Sequence, residues 1–189
     1  MNILKRPIRY LLNVVAQRVE KNHLFEQPQE RVKQSPIQLQ KPKKEEKVVF
    51  SSIEDIANDL GQSRGFLLVH HWATWCDGCM EELDDIHQFV LSLDTDSIPT
   101  YGISWELFNG TPPQHAIPVV EHVYQAHGLT FPTHIVKGAP EELFSRLSLK
   151  EQQIPQTALY KDGMLLYSHL GILSEAERQI IRNHIRDTL

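Results

Sequence analysis

The chain has 189 residues, 41% of them hydrophobic, and a formal net charge of −5, enough apolar material for one substantial core and an appendage. The charge is split: residues 1–47 carry eleven Lys/Arg against five Glu (+6), and the remaining 142 carry eight basic and nineteen acidic groups (−11). A basic tail on an acidic domain excludes a nucleic-acid binder along the whole length.

In residues 1–19, Pro7 opens a helical pattern with Ile8, Leu11, Leu12, Val15 and Val19 on one face and Arg9 and Arg18 elsewhere. Two readings fit: a helix lying in a membrane surface, its arginines toward anionic headgroups, or a helix packed on the domain or frayed. The apolar run 10–16 is interrupted by Asn13 and is far short of the ~20 residues that a membrane span needs. No clean apolar core or small-residue cleavage site marks a signal peptide. Residues 20–47, with Pro28, Pro36 and Pro42 among Gln, Lys and Glu, read as a linker. The folded domain is expected over 48–189.

A short strand is predicted at 48–50. Ser52 then caps a helix with Ile53, Ile56, Ala57 and Leu60 on its apolar side and Gly61 as its stop. Residues 66–72 read as a buried strand, despite His70 and His71. A long helix starts near Cys76 and repeats Met80, Leu83, Ile86, Val90 and Leu93 at helical spacing. A strand at 98–104, a helix at 118–127 ended by Gly128, a strand at 133–136 and a helix at 141–147 follow. Residues 157–160 and 164–169 form a hairpin about Lys161-Asp162-Gly163. The last helix starts at Ser174 with Glu177 completing a capping box, and buries Ile180, Ile181 and Ile185. This order predicts an α/β sandwich around a mixed sheet.

Both cysteines of the chain lie in Trp75-Cys76-Asp77-Gly78-Cys79. Two intervening residues let the sulfurs meet within one helical turn, so the pair can cycle between dithiol and disulfide. Backbone N–H groups at a helix start favour the Cys76 thiolate, the form that attacks. Other readings are half of a zinc site, for which the histidine spacings are wrong, and a static disulfide, which would close a loop too small to stabilise much. A copper- or zinc-handling protein using Cys76, Cys79 and a histidine such as His70 or His134 is the alternative from another class. A thiol peroxidase is weaker, because Thr74 fits its pattern loosely and position 70 is His rather than Pro.

The run Leu68-Val69-His70-His71-Trp72-Ala73-Thr74-Trp75-Cys76-Asp77-Gly78-Cys79 resembles the active-site strand and helix start of the thioredoxin superfamily, most of all its TlpA-like branch. Tyr101-Gly102-Ile103-Ser104 resembles the second core strand, and Ile154-Pro155-Gln156-Thr157 the cis-proline loop that faces the cysteines. The likeness covers residues 48–187. It implies a thioredoxin-like sandwich with a basic N-terminal extension. It also implies a thiol–disulfide oxidoreductase with a protein disulfide substrate, an upstream thiol donor and no cofactor beyond the Cys76–Cys79 couple. Cys76 is then the attacking sulfur and Cys79 the resolving one. Trp75, Ile154 and Pro155 contact the partner, with Ile154-Pro155 cis and Phe131-Pro132 trans. The resemblance implies a tether outside the cytoplasm, whereas the residues alone support a cytoplasmic or membrane-surface site.

Three positions depart from the pattern. Asp77 and Gly78 replace the usual Gly-Pro or Glu-Pro; the Asp77 carboxylate opposes the Cys76 thiolate and stabilises the disulfide, which favours a reductase. His70 stands where relatives carry Asp or Asn, either as the base for the Cys79 proton or as a neutral core histidine. Glu82 matches an acidic position of the TlpA-like branch, and is either the base or a solvated first-turn carboxylate.

Overall fold

The structure, a computed structural model, describes residues 47–93 and 98–187. The expectations for residues 1–19 and for the linker up to residue 46 lie outside the described residues.

Strand β1 (Val48–Ser52) runs into helix α1 (Ile53–Gln62), where the Ser52 hydroxyl accepts from the Asp55 N–H at 3.1 Å. The helix passes through Gly61 and is closed by Ser63 instead, whose N–H and hydroxyl both donate to the Leu60 carbonyl, at 3.2 and 2.8 Å. Strand β2 (Phe66–Trp72) is buried along its whole length and leads to helix α2 (Asp77–Ser92). Strand β3 spans Thr100–Ser104, starting after Pro99 rather than at residue 98, and is followed by an unpredicted 3-10 turn, Glu106–Asn109. Helix α3 spans Pro113–Ala126. It starts five residues earlier than its apolar pattern indicated, because Pro113 sits at the helix start, where a missing N–H costs nothing. Pro118 consequently lies inside the helix. Strand β4 (Thr133–Lys137), helix α4 (Pro140–Arg146), strands β5 (Gln156–Lys161) and β6 (Met164–Leu170), and helix α5 (Glu175–Arg186) complete the order.

The six strands form one sheet in the order β1-β4-β3-β2-β5-β6. The first four neighbours are parallel, while β5 and β6 join antiparallel. Parallel neighbours need crossover helices, and the connections place α2, α3 and α5 on one face and α1 and α4 on the other. Each face has its own core. Phe66, Leu68 and Trp72 of β2 meet Leu83 and Ile86 of α2 with Ala116, Val120 and Ile181. Leu67, Val69 and Ala73, the alternate residues, meet Ile56, Leu60, Leu143 and Phe144. Burial on both faces explains why β2 reads as a continuous apolar run rather than an alternating one. Val119 and Ile180, expected on apolar faces, are each 40% exposed.

The hairpin tip has Asp162 at φ 51° and Gly163 at φ 77°, as the Asp-Gly step requires. Asp162 donates its N–H to the Gly65 carbonyl at 2.9 Å, and its Oδ1 accepts from the Gly65 N–H at 2.9 Å. Gly163 packs so closely that a Cβ there would lie 2.7 Å from the Gly61 carbonyl oxygen. Among the described residues, no helix is long and apolar enough to cross a membrane.

Candidate active site

Cys76 is the N-cap of α2: its backbone is extended (φ −97°, ψ 105°) and its Sγ accepts from the Cys79 N–H at 3.2 Å. A disulfide joins Cys76 to Cys79, with Cα atoms 5.2 Å apart. Cys79 is fully buried, whereas Cys76 is half-buried and Asp77 exposed. The asymmetry follows from the helix start, which turns the first sulfur outward and the second toward the core one turn later.

The Ile154-Pro155 bond is cis, and among the described residues no other cis bond occurs, so Phe131-Pro132 is trans. Pro155 sits against the first turn of α2: a Cβ on Gly78 would lie 3.6 Å from its Cδ. The Pro155 carbonyl accepts from the Gly171 N–H at 2.8 Å, which fixes this loop to the end of β6. Trp75 lies half-buried beside the disulfide. Its Nε1 donates to the Trp105 carbonyl at 3.3 Å, and its ring centroid lies 6.3 Å from that of Phe108.

Strand β2 and helix α2 bring His70 and Glu82 together in the core. His70 alternates with Leu68 and Trp72 and so faces α2, while Glu82 follows Cys79 by three residues on the buried side of that helix. Neither is exposed, and His70 Nε2 stands 3.9 Å from Glu82 Oε1. His70 Nδ1 shares a 3.0 Å hydrogen bond with the Thr157 hydroxyl, and Glu82 Oε2 accepts from the Leu173 N–H at 2.8 Å. A first-turn carboxylate in solvent is therefore the wrong reading of Glu82, because the segment after β6 closes over it. Burial pushes its carboxyl up to about 7, against smaller opposing effects of the Leu173 N–H and Arg178. Burial likewise holds His70 down at about 3, so it is a neutral imidazole.

His71 faces the other side of the sheet and packs as expected. Its ring lies 5.2 Å from Phe144, its Nδ1 accepts from Trp105 Nε1 at 3.3 Å, and burial lowers it to about 3. His134 alternates with Ile135, and so lies on the face opposite His70, with Nδ1 bonded to the Ser51 hydroxyl at 2.8 Å. Among the described residues, no three or more His, Cys, Asp or Glu side chains come together as a metal site would require.

Sequence reasoning missed Glu106. It is 2% exposed, and its Oε2 accepts from the Thr74 N–H at 3.1 Å and the Thr74 hydroxyl at 2.8 Å, while Oε1 accepts from the Thr111 hydroxyl at 3.2 Å. This carboxylate ties the segment before Cys76 to the 3-10 turn that carries Phe108.

No family model and no curated protein matches the chain, but solved structures do. A thiol:disulfide interchange protein of the thioredoxin family from Chlorobium tepidum is similar at 19% identity, with 68% of this chain and 84% of that one covered and a TM-score of 0.51. A DsbF homologue from Corynebacterium diphtheriae is similar at 17% identity, covering 68% and 74%, with a TM-score of 0.51. A putative thioredoxin from Neisseria meningitidis is similar at 16% identity, covering 67% and 78%, also with a TM-score of 0.51. Sheet order, cis-proline loop and disulfide at the start of α2 agree with that likeness, and in fold this chain is a thioredoxin-like protein.

Proposed function

We propose that the chain is a thiol–disulfide oxidoreductase of the TlpA-like kind, working as a reductase of protein disulfides. The observation that carries this reading is the Cys76–Cys79 disulfide, capped on the start of α2 and faced by the cis Ile154-Pro155 loop. In the reduced form the Cys76 thiolate attacks one sulfur of a partner disulfide, and the other partner sulfur leaves as a thiolate. The Cys79 thiol then gives up its proton, and its thiolate attacks Cys76 Sγ. The Cys76–partner bond breaks, the Cys76–Cys79 bond forms, and the partner has gained two electrons. An upstream dithiol returns the pair to its reduced state.

In this reading Glu82, rather than His70, accepts the Cys79 proton. An imidazole held at about 3 is a weak base, while a carboxyl at about 7 is matched to neutral pH. Glu82 shares the buried side of α2 with Cys79, and its side chain leans toward the helix start. His70 serves as the neutral wall beside it, oriented by Thr157. Asp77, exposed between the cysteines, disfavours the Cys76 thiolate and so favours the disulfide form. Trp75 and the Ile154-Pro155 loop receive the partner chain.

The test is mixed-disulfide kinetics with the full chain. Cys79→Ser should trap a covalent adduct between Cys76 and a disulfide peptide. Glu82→Gln should slow release by ~10²-fold, the lower range for general-base loss, with formation nearly unchanged. No adduct would remove the redox reading, and equal release rates would remove Glu82 from it.

A further inference from the structure

Beside the disulfide a cleft of about 290 Å³ opens between Trp75, Phe108, Trp105, Phe144, Ile154 and Glu141. Two aromatic pairs line it: Trp75 and Phe108 have centroids 6.3 Å apart, and Trp105 stacks on Phe144 at 5.2 Å. Trp105 and Phe144 are buried and form the floor, while Phe108, at 62% exposure, stands open to solvent. Phe108 thus presents a largely open ring face beside Trp75, the residue that precedes Cys76.

The charge in the lining narrows the answer. Glu141 is exposed, and among the described residues no cation lies within 4.0 Å of its carboxylate, whereas the adjacent Glu142 pairs with Arg146 at 3.0 Å. Gln152 and Gln153 add amide oxygens to the same rim, and Asp77 adds negative charge on the exposed first turn of α2. A purely apolar occupant would strip water from Glu141 without replacing it. A guanidinium offers flat faces to aromatic rings and a fork of donors to a carboxylate and amides.

We propose that this cleft is a specificity pocket for an arginine side chain flanking the target cysteine in an extended segment of the disulfide substrate. This rests on the redox reading above, because Trp75 and Ile154 line both the cleft and the approach to Cys76. The partner segment lies along the Ile154-Pro155 loop with its cysteine at Cys76. A neighbouring side chain lies over the Trp75–Phe108 pair, and its guanidinium reaches Glu141. The charge of the domain agrees with such a partner, since the 142 residues after position 47 carry a balance of −11.

The experiment separates pocket from chemistry. The oxidised full chain is titrated, with Trp fluorescence as readout, against three cysteine-free peptides, Ac-Gly-X-Ser-X-Gly-amide, in which X is arginine, citrulline or norleucine. Citrulline keeps the shape of arginine without its charge. Arginine should bind about tenfold tighter than citrulline, a contrast that Glu141→Gln reduces to less than about twofold. Phe108→Ala, an exposed change, should weaken the arginine peptide several-fold. Equal affinity for arginine and citrulline, a preference that survives Glu141→Gln, or no binding of any of the three overturns the proposal. A parallel arm takes the reduced full chain and measures exchange of its Cys76 thiolate with the same peptides carrying a glutathionylated cysteine in place of serine, glutathione or the peptide leaving as the thiolate. Exchange without an arginine preference in binding rejects the pocket and leaves the redox reading; the preference without exchange does the reverse.

Discussion

Replacing Glu82 with glutamine removes a buried carboxyl while leaving an amide oxygen to accept from the Leu173 N–H. The carboxyl stands at about 7 in the fold against 4.5 as its ordinary value. At about 1.4 kcal/mol per tenfold change in proton affinity, keeping this group in the folded state costs about 3 kcal/mol once it must ionise. Below pH 4.5 both folded and unfolded chains hold the proton, so there is no cost. Between 4.5 and 7 the unfolded chain ionises first, the folded chain binds more protons, and stability falls with rising pH; above 7 the full penalty applies. His70 works in the opposite direction: neutral in the fold down to about 3, it contributes stability that is present above 6.5 and lost as pH falls. Both chains retain His70, so the difference between them isolates Glu82. Urea unfolding of the oxidised proteins from about pH 4 to 8.5 measures it. Relative to the wild type, the glutamine variant should gain about 3 kcal/mol between pH 4.5 and 7, on top of any constant offset. A difference independent of pH would refute the reasoning, because a solvated or already ionised Glu82 gives a flat line.

Gly102→Ala should destabilise the domain by about 2 kcal/mol or more, read from the urea midpoint. A Cβ there would meet Thr133 Oγ1 at 2.6 Å, Trp72 Nε1 at 3.0 Å and the Phe131 ring at 3.1 Å, and in the middle of a sheet none of these can retreat freely. Glu106→Ala leaves the Thr74 N–H without its acceptor and should cost about 2 kcal/mol; unchanged stability and Trp75 emission would show that the clamp does not matter. Asp77→Asn should raise the reduction potential of the Cys76–Cys79 couple by on the order of 10 mV, measured against glutathione. A potential that stays constant or falls removes Asp77 from the tuning.

The disulfide site was legible because its information is local: a buried strand, a tight turn and two cysteines one helical turn apart lie within fourteen residues. The cis bond at Pro155 was legible only through family resemblance, since nothing in Ile-Pro-Gln-Thr itself distinguishes it from Phe131-Pro132-Thr133. Glu82 was named, but its burial was not foreseeable. The segment that covers it supplies Leu173, 91 residues further on. Glu106 was invisible for a different reason. It follows a strand end, where a lone carboxylate ordinarily meets solvent, and its partners Thr74 and Thr111 share no periodicity with it. The early start of α3 was missed because residues 113–117 carry a weak apolar stripe, while the stronger one begins at Pro118. There the start signal and the interior signal were both proline.

The joint between the β5–β6 hairpin tip and the end of α1 bears on how this domain can be re-engineered. By composition Lys161-Asp162-Gly163 is the sort of exposed turn into which tags and reporter domains are inserted. Here its backbone and carboxylate hold Gly65, a residue 97 positions away in the chain. An insertion would open both bonds and push the Gly163 backbone away from Gly61. At Asn109-Gly110, an exposed turn where a Cβ on the glycine would meet nothing within 4 Å, an insertion opens short-range bonds instead, those from the Thr111 N–H and hydroxyl to Asn109 Oδ1 at 3.1 and 2.7 Å, and places the cargo beside Phe108 and the mouth of the arginine pocket. For a fusion meant to leave that mouth open, the end of α3 is the alternative, at the cost of the 2.7 Å bond by which His127 ties it to Asp84 of α2.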